Sequence, residues 1–210
     1  MTKNDGFLGN AYQASTLSDV GKLYSEWART YDEELTANGY ASPARTAAAM
    51  SAVVSDKTQP ILDIGCGTGL SGLALQEAGF TQIDGTDFSA EMLALAEEKA
   101  IYRQLMQGSV EAPIPAAPGQ YSNIAAVGVF SPGHAPASMI NDVMALLPKG
   151  GCFGFSINDH GLEDSSYRET IAALADAGTA TTIFEEYGDH LPGIGLNSVV
   201  MVLRTEGNDP

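Results

Sequence analysis

The chain has 210 residues, of which 44% are hydrophobic, and this is enough for one domain with a sizeable core. Its 26 acidic and 10 basic residues give a formal net charge of -16, and the basic ones are scattered singly, which argues against a nucleic-acid-binding protein. The sequence shows neither a signal peptide nor an apolar run long enough to span a membrane, so we expect a cytoplasmic protein without a membrane partner.

Helices are predicted in the first part of the chain, where apolar and aromatic residues recur at helical spacing. Four of them fall on one stripe: Leu23, Trp27, Tyr31 and Leu35. We expect residues 1–40 to form a helical extension or lid, ahead of a main domain over residues 41–210. Ser42 is predicted to cap the first helix of that domain, with Pro43 as the first helical residue.

Short apolar runs alternate with helical stretches from residue 60 onwards. Seven runs are predicted to be strands: 60–64, 82–86, 101–106, 124–130, 152–157, 181–185 and 198–203. Four stretches are predicted to be helices: 70–79, 90–100, 137–147 and 167–177, the last with a capping box of Ser166 and Glu169. The alternation predicts an α/β fold, a Rossmann-like three-layer sandwich with a mostly parallel seven-stranded sheet. The loop 187–197 contains no helix, which predicts an antiparallel last strand.

The most informative segment is residues 60–72, PILDIGCGTGLSG, in which an apolar strand runs into a glycine turn and then a helix. Such a turn lets the atoms of a nucleoside approach bare backbone. A tight turn alone needs fewer than three alternating glycines. We therefore expect Gly65, Cys66, Gly67 and Gly69 to line a nucleotide site.

The acid at the end of this strand helps to choose the nucleotide. Gly67, Gly69 and Gly72 also satisfy the glycine spacing of dinucleotide sites. However, Asp63 would repel a pyrophosphate, whereas it suits S-adenosylmethionine, which carries an ammonium and a sulfonium and no phosphate. The favoured interpretation is an S-adenosylmethionine site. An NAD(P)-dependent oxidoreductase and a non-catalytic nucleoside-binding domain of the same fold remain as alternatives.

A second acid, Asp87, closes the next predicted strand about 20 residues beyond the glycines, where a carboxylate can accept both ribose hydroxyls. Asp87 is also suited to capping the helix that follows Ser89, and the two roles are compatible. Phe88 and Met92 are expected to supply apolar surface near the adenine, although residues at such positions are also typical of a core.

At these residues the chain resembles the class I S-adenosylmethionine-dependent methyltransferase family. Residues 61–69 look like the family's first motif, residues 85–92 like its second, and residues 146–151 like the turn before its fifth strand. The resemblance implies the Rossmann-like fold, S-adenosylmethionine as cofactor and methyl transfer as the reaction. It also implies cofactor contacts from four further residues: Tyr31, Ser109, Val110 and Val127. Ser109 stands where many relatives have an aspartate.

Two further segments, WARTYD over residues 27–32 and VGVFSPGH over residues 127–134, are similar to methyltransferase-like proteins of the Williams-Beuren region type. The chain lacks the Asp/Asn-Pro-Pro-Tyr/Phe motif of methyltransferases that act on adenine or glutamine, and it also lacks a Pro-Cys nucleophile. We therefore expect a small-molecule acceptor.

Methyl transfer to the acceptor is a direct displacement at a sulfonium, so most of the catalysis can come from orientation in a dry pocket. If the acceptor must lose a proton, His134 after the fourth strand is the best-placed base, and Asp159 and His160 are weaker candidates. An ordinary loop histidine explains His134 equally well. The histidines and cysteines have no metal-ligand spacing, so no metal site is expected. The sequence leaves the oligomeric state open.

Overall fold

Seven strands form a single sheet among the residues that the computed structural model describes, which are 30–109, 114–131 and 134–206. They are β1 (Ile61–Ile64), β2 (Ile83–Asp87), β3 (Leu105–Gln107), β4 (Asn123–Phe130), β5 (Cys152–Asn158), β6 (Ala180–Leu191) and β7 (Leu196–Thr205). Their order across the sheet is β3-β2-β1-β4-β5-β7-β6. Neighbours among β1 to β5 run parallel, whereas β7 is antiparallel to both β5 and β6. The predicted Rossmann-like fold with an antiparallel last strand is therefore confirmed.

Helices cover both faces of this sheet. In the described part of the chain they are α1 (Tyr31–Ala37), α2 (Ser42–Val53), α3 (Leu70–Glu77), α4 (Ala90–Glu98), α5 (Ser138–Leu146), α6 (Asp159–Leu162) and α7 (Ser165–Asp176). On one face α5 and α7 pack on Phe130, Phe153 and Phe155, and on the other α2 and α3 pack on Ile61 and Val202. Side chains alternate along a strand, so each buried strand contributes to both cores and three layers result. No described helix is long and apolar enough to cross a membrane.

Three strands, β3, β6 and β7, differ from the prediction by more than one residue. Residues 187–191 continue β6, so the predicted loop over 187–197 was wrong, and a short 3-10 turn at Pro192–Ile194 leads to a β7 that is longer than predicted. β6 lies at an outer edge of the described sheet with half of its residues exposed, and no apolar alternation runs along its whole length. β3 is shorter than predicted, because residues 101–104 form a connecting segment before it.

Two helix starts also differ from the prediction. α2 has Ala41 at its N-cap, while Ser42 is buried with its Oγ 2.7 Å from Nδ1 of His190. α7 is capped by Asp164, whose side chain accepts a hydrogen bond from the N–H of Ser166, so the predicted capping box was wrong. At the start of α2 the long-range contact of Ser42 takes its side chain away from the cap, and at the start of α7 the earlier carboxylate of Asp164 forms the cap.

Candidate functional site

A glycine turn connects β1 to α3 at the carboxyl end of the parallel strands. Gly65, Gly67 and Gly69 have φ angles of +65°, +52° and +98°, in the left-handed region that glycine enters without steric cost. A Cβ on Gly67 would meet no described atom within 4 Å, whereas a Cβ on Gly65 would lie 2.5 Å from Cγ2 of Val129. Packing therefore requires the glycine at position 65, while Gly67 offers bare backbone to a ligand.

Asp63 of β1 is buried directly beneath this turn, with none of its surface exposed. Its Oδ2 accepts hydrogen bonds from Oγ of Ser71 at 2.6 Å and from the hydroxyl of Tyr102 at 2.7 Å. Its Oδ1 has no hydrogen-bond partner among the described residues. Burial raises the pKa of the Asp63 carboxyl to about 6, and the two hydrogen bonds limit this rise. A buried carboxylate oxygen without a donor is costly, so Oδ1 marks a place for a cationic group.

Asp87 ends β2 beside the same turn. Its Oδ2 accepts a hydrogen bond from the N–H of Gly67, and its Oδ1 accepts one from the N–H of Ser89, both at 2.9 Å. Burial raises the pKa of this carboxyl. The capping role expected for Asp87 falls to Ser89, whose Oγ accepts from the N–H of Met92. Each Asp87 oxygen keeps a further lone pair, so the carboxylate remains able to accept hydroxyl groups.

The remaining predicted cofactor contacts differ in exposure. Phe88 is 46% exposed next to Asp87, whereas Met92 is 1% exposed and lies in the interior, as the core alternative predicts. The others, in order of increasing exposure, are Cys66, Val127, Tyr31 and Ser109. Val110 lies outside the described residues, as do Leu23 and Trp27 of the predicted lid.

α1 is tied to the glycine turn through Asp32. The Asp32 carboxylate accepts a hydrogen bond from Oγ1 of Thr68 in the turn. It also pairs with Nζ of Lys99 at 2.7 Å, and the same ammonium donates to the backbone oxygen of Thr68 at 2.7 Å. Tyr31, the neighbour of Asp32, is thereby placed on the helix that touches the turn. The division between a lid over 1–40 and a main domain stays a prediction.

The carboxyl end of β4 is irregular. Its pairing with β5 shifts between Ala126 and Phe130, and Gly128 has a φ of +71°. The N–H of Gly128 donates to Oγ of Ser156 at 2.9 Å, and a Cβ on Gly128 would lie 2.6 Å from the hydroxyl of Tyr40. Glycine is therefore needed here because Tyr40 approaches the end of the strand.

His134 follows β4 at this end of the sheet. Its backbone N–H donates to the backbone oxygen of Ser131 at 3.0 Å, and its Nδ1 lies 3.0 Å from Oγ of Ser131. Of the weaker candidates, Asp159 accepts from the hydroxyl of Tyr187 at 2.8 Å and from the N–H of Asn197 at 2.9 Å. Those bonds join α6 to the β6 and β7 pair, which gives Asp159 a structural role. The described residues contain no group of three or more potential metal ligands.

The glycine turn and Asp87 lie in a part of the chain that resembles known proteins. Residues 61–151 match a family model described as a methyltransferase domain. This stretch of the chain is therefore similar to methyltransferase domains, in line with the resemblance to the class I S-adenosylmethionine-dependent family. S-adenosylmethionine is the cofactor of that family, and the comparisons give the oxidoreductase alternative no support. The human methyltransferase-like protein 27 is 29% identical over 158 residues, which are 73% of this chain and 63% of that protein. The match thus spans less than two thirds of the human relative.

Solved structures resemble this chain in fold. The cyclase SpnF has a TM-score of 0.70 at 15% identity, covering 93% of this chain and 98% of that one. A putative methyltransferase from Haloferax volcanii, solved in complex with the activator Trm112, has a TM-score of 0.70 at 16% identity, with 91% and 99% covered. A methyltransferase from Thermotoga maritima described as a possible histamine N-methyltransferase has a TM-score of 0.60 at 16% identity, with 89% and 99% covered.

Several residues meet at the glycine turn without having been predicted there. They are Asp32, Thr68, Ser71, Lys99 and Tyr102. Thr68 and Lys99 are far along the chain from Asp32, and Tyr102 is far from Asp63. Residue spacing in the sequence does not predict contacts of this kind. The resemblance of residues 27–32 to methyltransferase-like proteins was the one available signal, because it includes Asp32.

Proposed function

We propose that this protein transfers a methyl group from S-adenosylmethionine to a small-molecule acceptor. The observation that carries the proposal is the buried Asp63 with an unpartnered Oδ1 beneath a turn whose Gly67 faces open space. A carboxylate in that position attracts an ammonium and repels a pyrophosphate. The residues present therefore fit a nucleoside that carries a cationic amino acid end.

The cofactor is held from both ends in this proposal. Asp63 binds the methionine ammonium, and Asp87 accepts the ribose hydroxyls with its remaining lone pairs. The exposed ring of Phe88 lies beside the adenine. The other positions expected at the cofactor are Tyr31, Gly65, Cys66, Gly67, Gly69, Ser109, Val110 and Val127.

When bound, S-adenosylmethionine supplies an electrophilic methyl group on a sulfonium. This chain's residues orient the acceptor in line with it and exclude water, which is the main source of rate for such a displacement. His134, after β4, takes a proton from an acceptor that carries one, since ligands of open α/β sheets lie outside the carboxyl ends of the strands. Few basic residues are available to hold a nucleic acid, which supports a small acceptor.

We place the reaction in the cytoplasm. The support is that both cysteines of the chain, Cys66 and Cys152, are free and buried. Unpaired cysteines are typical of a reducing compartment.

Binding of the demethylated product tests the proposal without knowledge of the acceptor. S-adenosylhomocysteine at a hundredfold excess over its Kd is expected to raise the melting temperature by about 5 to 10 °C, whereas NAD and NADP leave it unchanged. Asp87→Ala should weaken that binding at least about tenfold, because a hydrogen bond to a charged group is lost. Asp176→Ala, which removes an exposed carboxylate at the end of α7, is the matched control for calorimetry. Stabilisation by a dinucleotide alone would defeat the proposal.

His134→Ala is expected to lower the maximal rate of methyl transfer roughly 100-fold, because general base catalysis contributes at least that much. The release of S-adenosylhomocysteine over a panel of amines, alcohols and thiols measures this rate for any acceptor. His134→Asn should be nearly as slow, since an amide accepts no proton in this pH range. His160→Ala tests a weaker candidate for the base and should keep its rate if His134 is the base. A near-normal rate in His134→Asn would leave His134 with a positional role only.

A further inference from the structure

Tyr102, in the segment before β3, reaches beneath the glycine turn. Its ring occupies space that glycines leave open: a Cβ on Gly69 would lie 3.2 Å from Cε2 of Tyr102, and a Cβ on Gly85 2.9 Å from its Cε1. A Cβ on Gly72 would lie 2.3 Å from the hydroxyl oxygen itself. Gly72 has no positive φ angle to explain it, and the reason for glycine at this position is therefore the approach of Tyr102.

The Tyr102 hydroxyl and the Ser71 hydroxyl donate to the same oxygen of Asp63, its Oδ2. Two donors on one oxygen fix the plane of a carboxylate and leave the other oxygen for a different partner. Asp63 is fully buried, and no described residue donates a hydrogen bond to Oδ1. Oδ2 of Asp63 thus accepts two hydrogen bonds, whereas Oδ1 accepts none from the described residues.

We propose that Tyr102 and Ser71 are positioning residues that hold the Asp63 carboxylate ionised and aimed, with Oδ1 directed to the ammonium of S-adenosylmethionine. Gly72 serves the same purpose by admitting the Tyr102 hydroxyl. This inference rests on the proposed function, since it assumes that the methionine end of the cofactor binds at Asp63. It adds to that function three residues whose effect passes through Asp63.

The titratable groups next to Asp63 determine how the binding site responds to pH. The titratable groups that face it are Cys66 in the turn, Asp87 at the end of β2 and Tyr102 itself. Burial raises the pKa of the Cys66 thiol and of the Tyr102 phenol, so both stay neutral between pH 5 and pH 8. Lys99 behind the turn is engaged by Asp32. Only the two carboxylates, Asp63 and Asp87, change charge in the acidic range.

The sign of the pH dependence follows from these groups. Ion pairing with an ammonium requires ionised Asp63, whose pKa is raised to about 6. The affinity for the cofactor therefore levels off about one pH unit above that pKa and falls as the pH drops below it, by up to about tenfold per pH unit. Removing a hydrogen-bond donor from the carboxylate raises its pKa further, so the fall begins at a higher pH.

Tyr102→Phe removes only the hydroxyl that donates to Asp63, and it therefore tests whether Tyr102 keeps that carboxylate ionised. The affinity of S-adenosylhomocysteine, measured by calorimetry from pH 5 to pH 8, should begin to fall about one pH unit higher than in the wild type. Ser71→Ala should move the curve in the same direction and serves as the second variant if Tyr102→Phe does not fold. The matched control is Tyr121→Phe, because the Tyr121 hydroxyl donates at 2.9 Å to another buried carboxylate, that of Asp84. This control should leave the curve unmoved.

The outcomes separate the positioning role from the proposed function. A curve that does not move in a folded Tyr102→Phe or Ser71→Ala protein overturns the positioning role, and so does an equal shift in Tyr121→Phe. An affinity in the wild type that is constant from pH 5 to pH 8 overturns it as well. Failure of the wild type to bind S-adenosylhomocysteine at any pH contradicts the proposed function itself.

Discussion

Gly65→Ala is expected to lower the free energy of unfolding by about 4 kcal/mol, since two costs combine at this position. The φ angle of +65° is unfavourable for any residue with a Cβ, by about 1 to 2 kcal/mol. The new Cβ would also lie 2.5 Å from Cγ2 of Val129, and overpacking of this kind costs about 1 to 3 kcal/mol. Val129 is β-branched and sits on β4, so it has little freedom to rotate away.

Chemical denaturation of a double-mutant cycle separates the two costs. In a Val129→Ala background, Gly65→Ala should destabilise the protein by only about 1 to 2 kcal/mol, because the clash is gone and the backbone cost remains. Gly67→Ala is the matched control: its φ angle is +52°, yet its Cβ would meet no described atom within 4 Å. It should cost about as much as Gly65→Ala in the double mutant. Equal losses for Gly65→Ala in both backgrounds would show that Val129 is not the obstacle.

Arg103→Met is expected to lower the free energy of unfolding by about 3 kcal/mol at pH 7, as breaking a buried ion pair leaves a charge without compensation. Arg103 binds Asp84 through Nε at 2.9 Å and through Nη2 at 2.6 Å. The Asp84 side chain is fully buried and that of Arg103 is 41% exposed, so solvent keeps the loss at the lower end of the usual range. Asp84 also accepts from Gln104 and Tyr121, and these bonds alone do not replace the positive charge.

The ion pair between Arg103 and Asp84 stabilises the fold only while Asp84 is ionised. Burial opposes ionisation of Asp84, but hydrogen bonds from Arg103 and its neighbours outweigh it and hold the pKa of this carboxyl below its usual value. The pair therefore stabilises the fold above the unfolded pKa of about 3.9 and loses its effect as the pH falls through the lower folded value. Denaturation should show a smaller difference between Arg103→Met and wild type at pH 3 than at pH 7.

The control for Arg103 is an exposed pair. Arg168→Met breaks a contact of 3.2 Å with Glu185, whose side chain is 42% exposed while that of Arg168 is 56% exposed. Such surface pairs contribute at most about 1 kcal/mol. A loss in Arg103→Met no larger than in Arg168→Met would show that Asp84 does not depend on its arginine.

The strands that are buried on both faces could be predicted closely from the sequence. β1, β2, β4 and β5 begin and end within one residue of their predicted bounds. Three of them, β1, β4 and β5, are mostly apolar, as is typical of parallel strands under two layers of helices. β6 has polar side chains over much of its length and no such run, so only its first half was recognised. A buried strand is visible in the sequence as a run of apolar residues, whereas an exposed edge strand gives only a weak apolar pattern.

The same distinction applies to the candidate site. The glycine turn and Asp87 could be predicted because each is marked by a short local pattern at the end of a strand, and the two strands are neighbours in the sheet. Tyr102 lies 39 residues from Asp63, and Lys99 lies 67 residues from Asp32, so these pairs exist only after the sheet has formed. Gly72 illustrates the difference: in the sequence it only completes the glycine spacing of dinucleotide sites, whereas the structure shows that its missing Cβ leaves space for the Tyr102 phenol.

The exposed outer strand β6 has a consequence for solubility. An edge strand presents unpaired backbone donors and acceptors, which invite pairing with a second molecule and then aggregation. Along this edge stand the exposed carboxylates of Glu185, Glu186 and Asp189. A second copy aligned on the strand would have to bury these charged side chains, and each copy carries a formal net charge of -16. The charged side chains along β6 thus oppose edge-to-edge pairing between molecules.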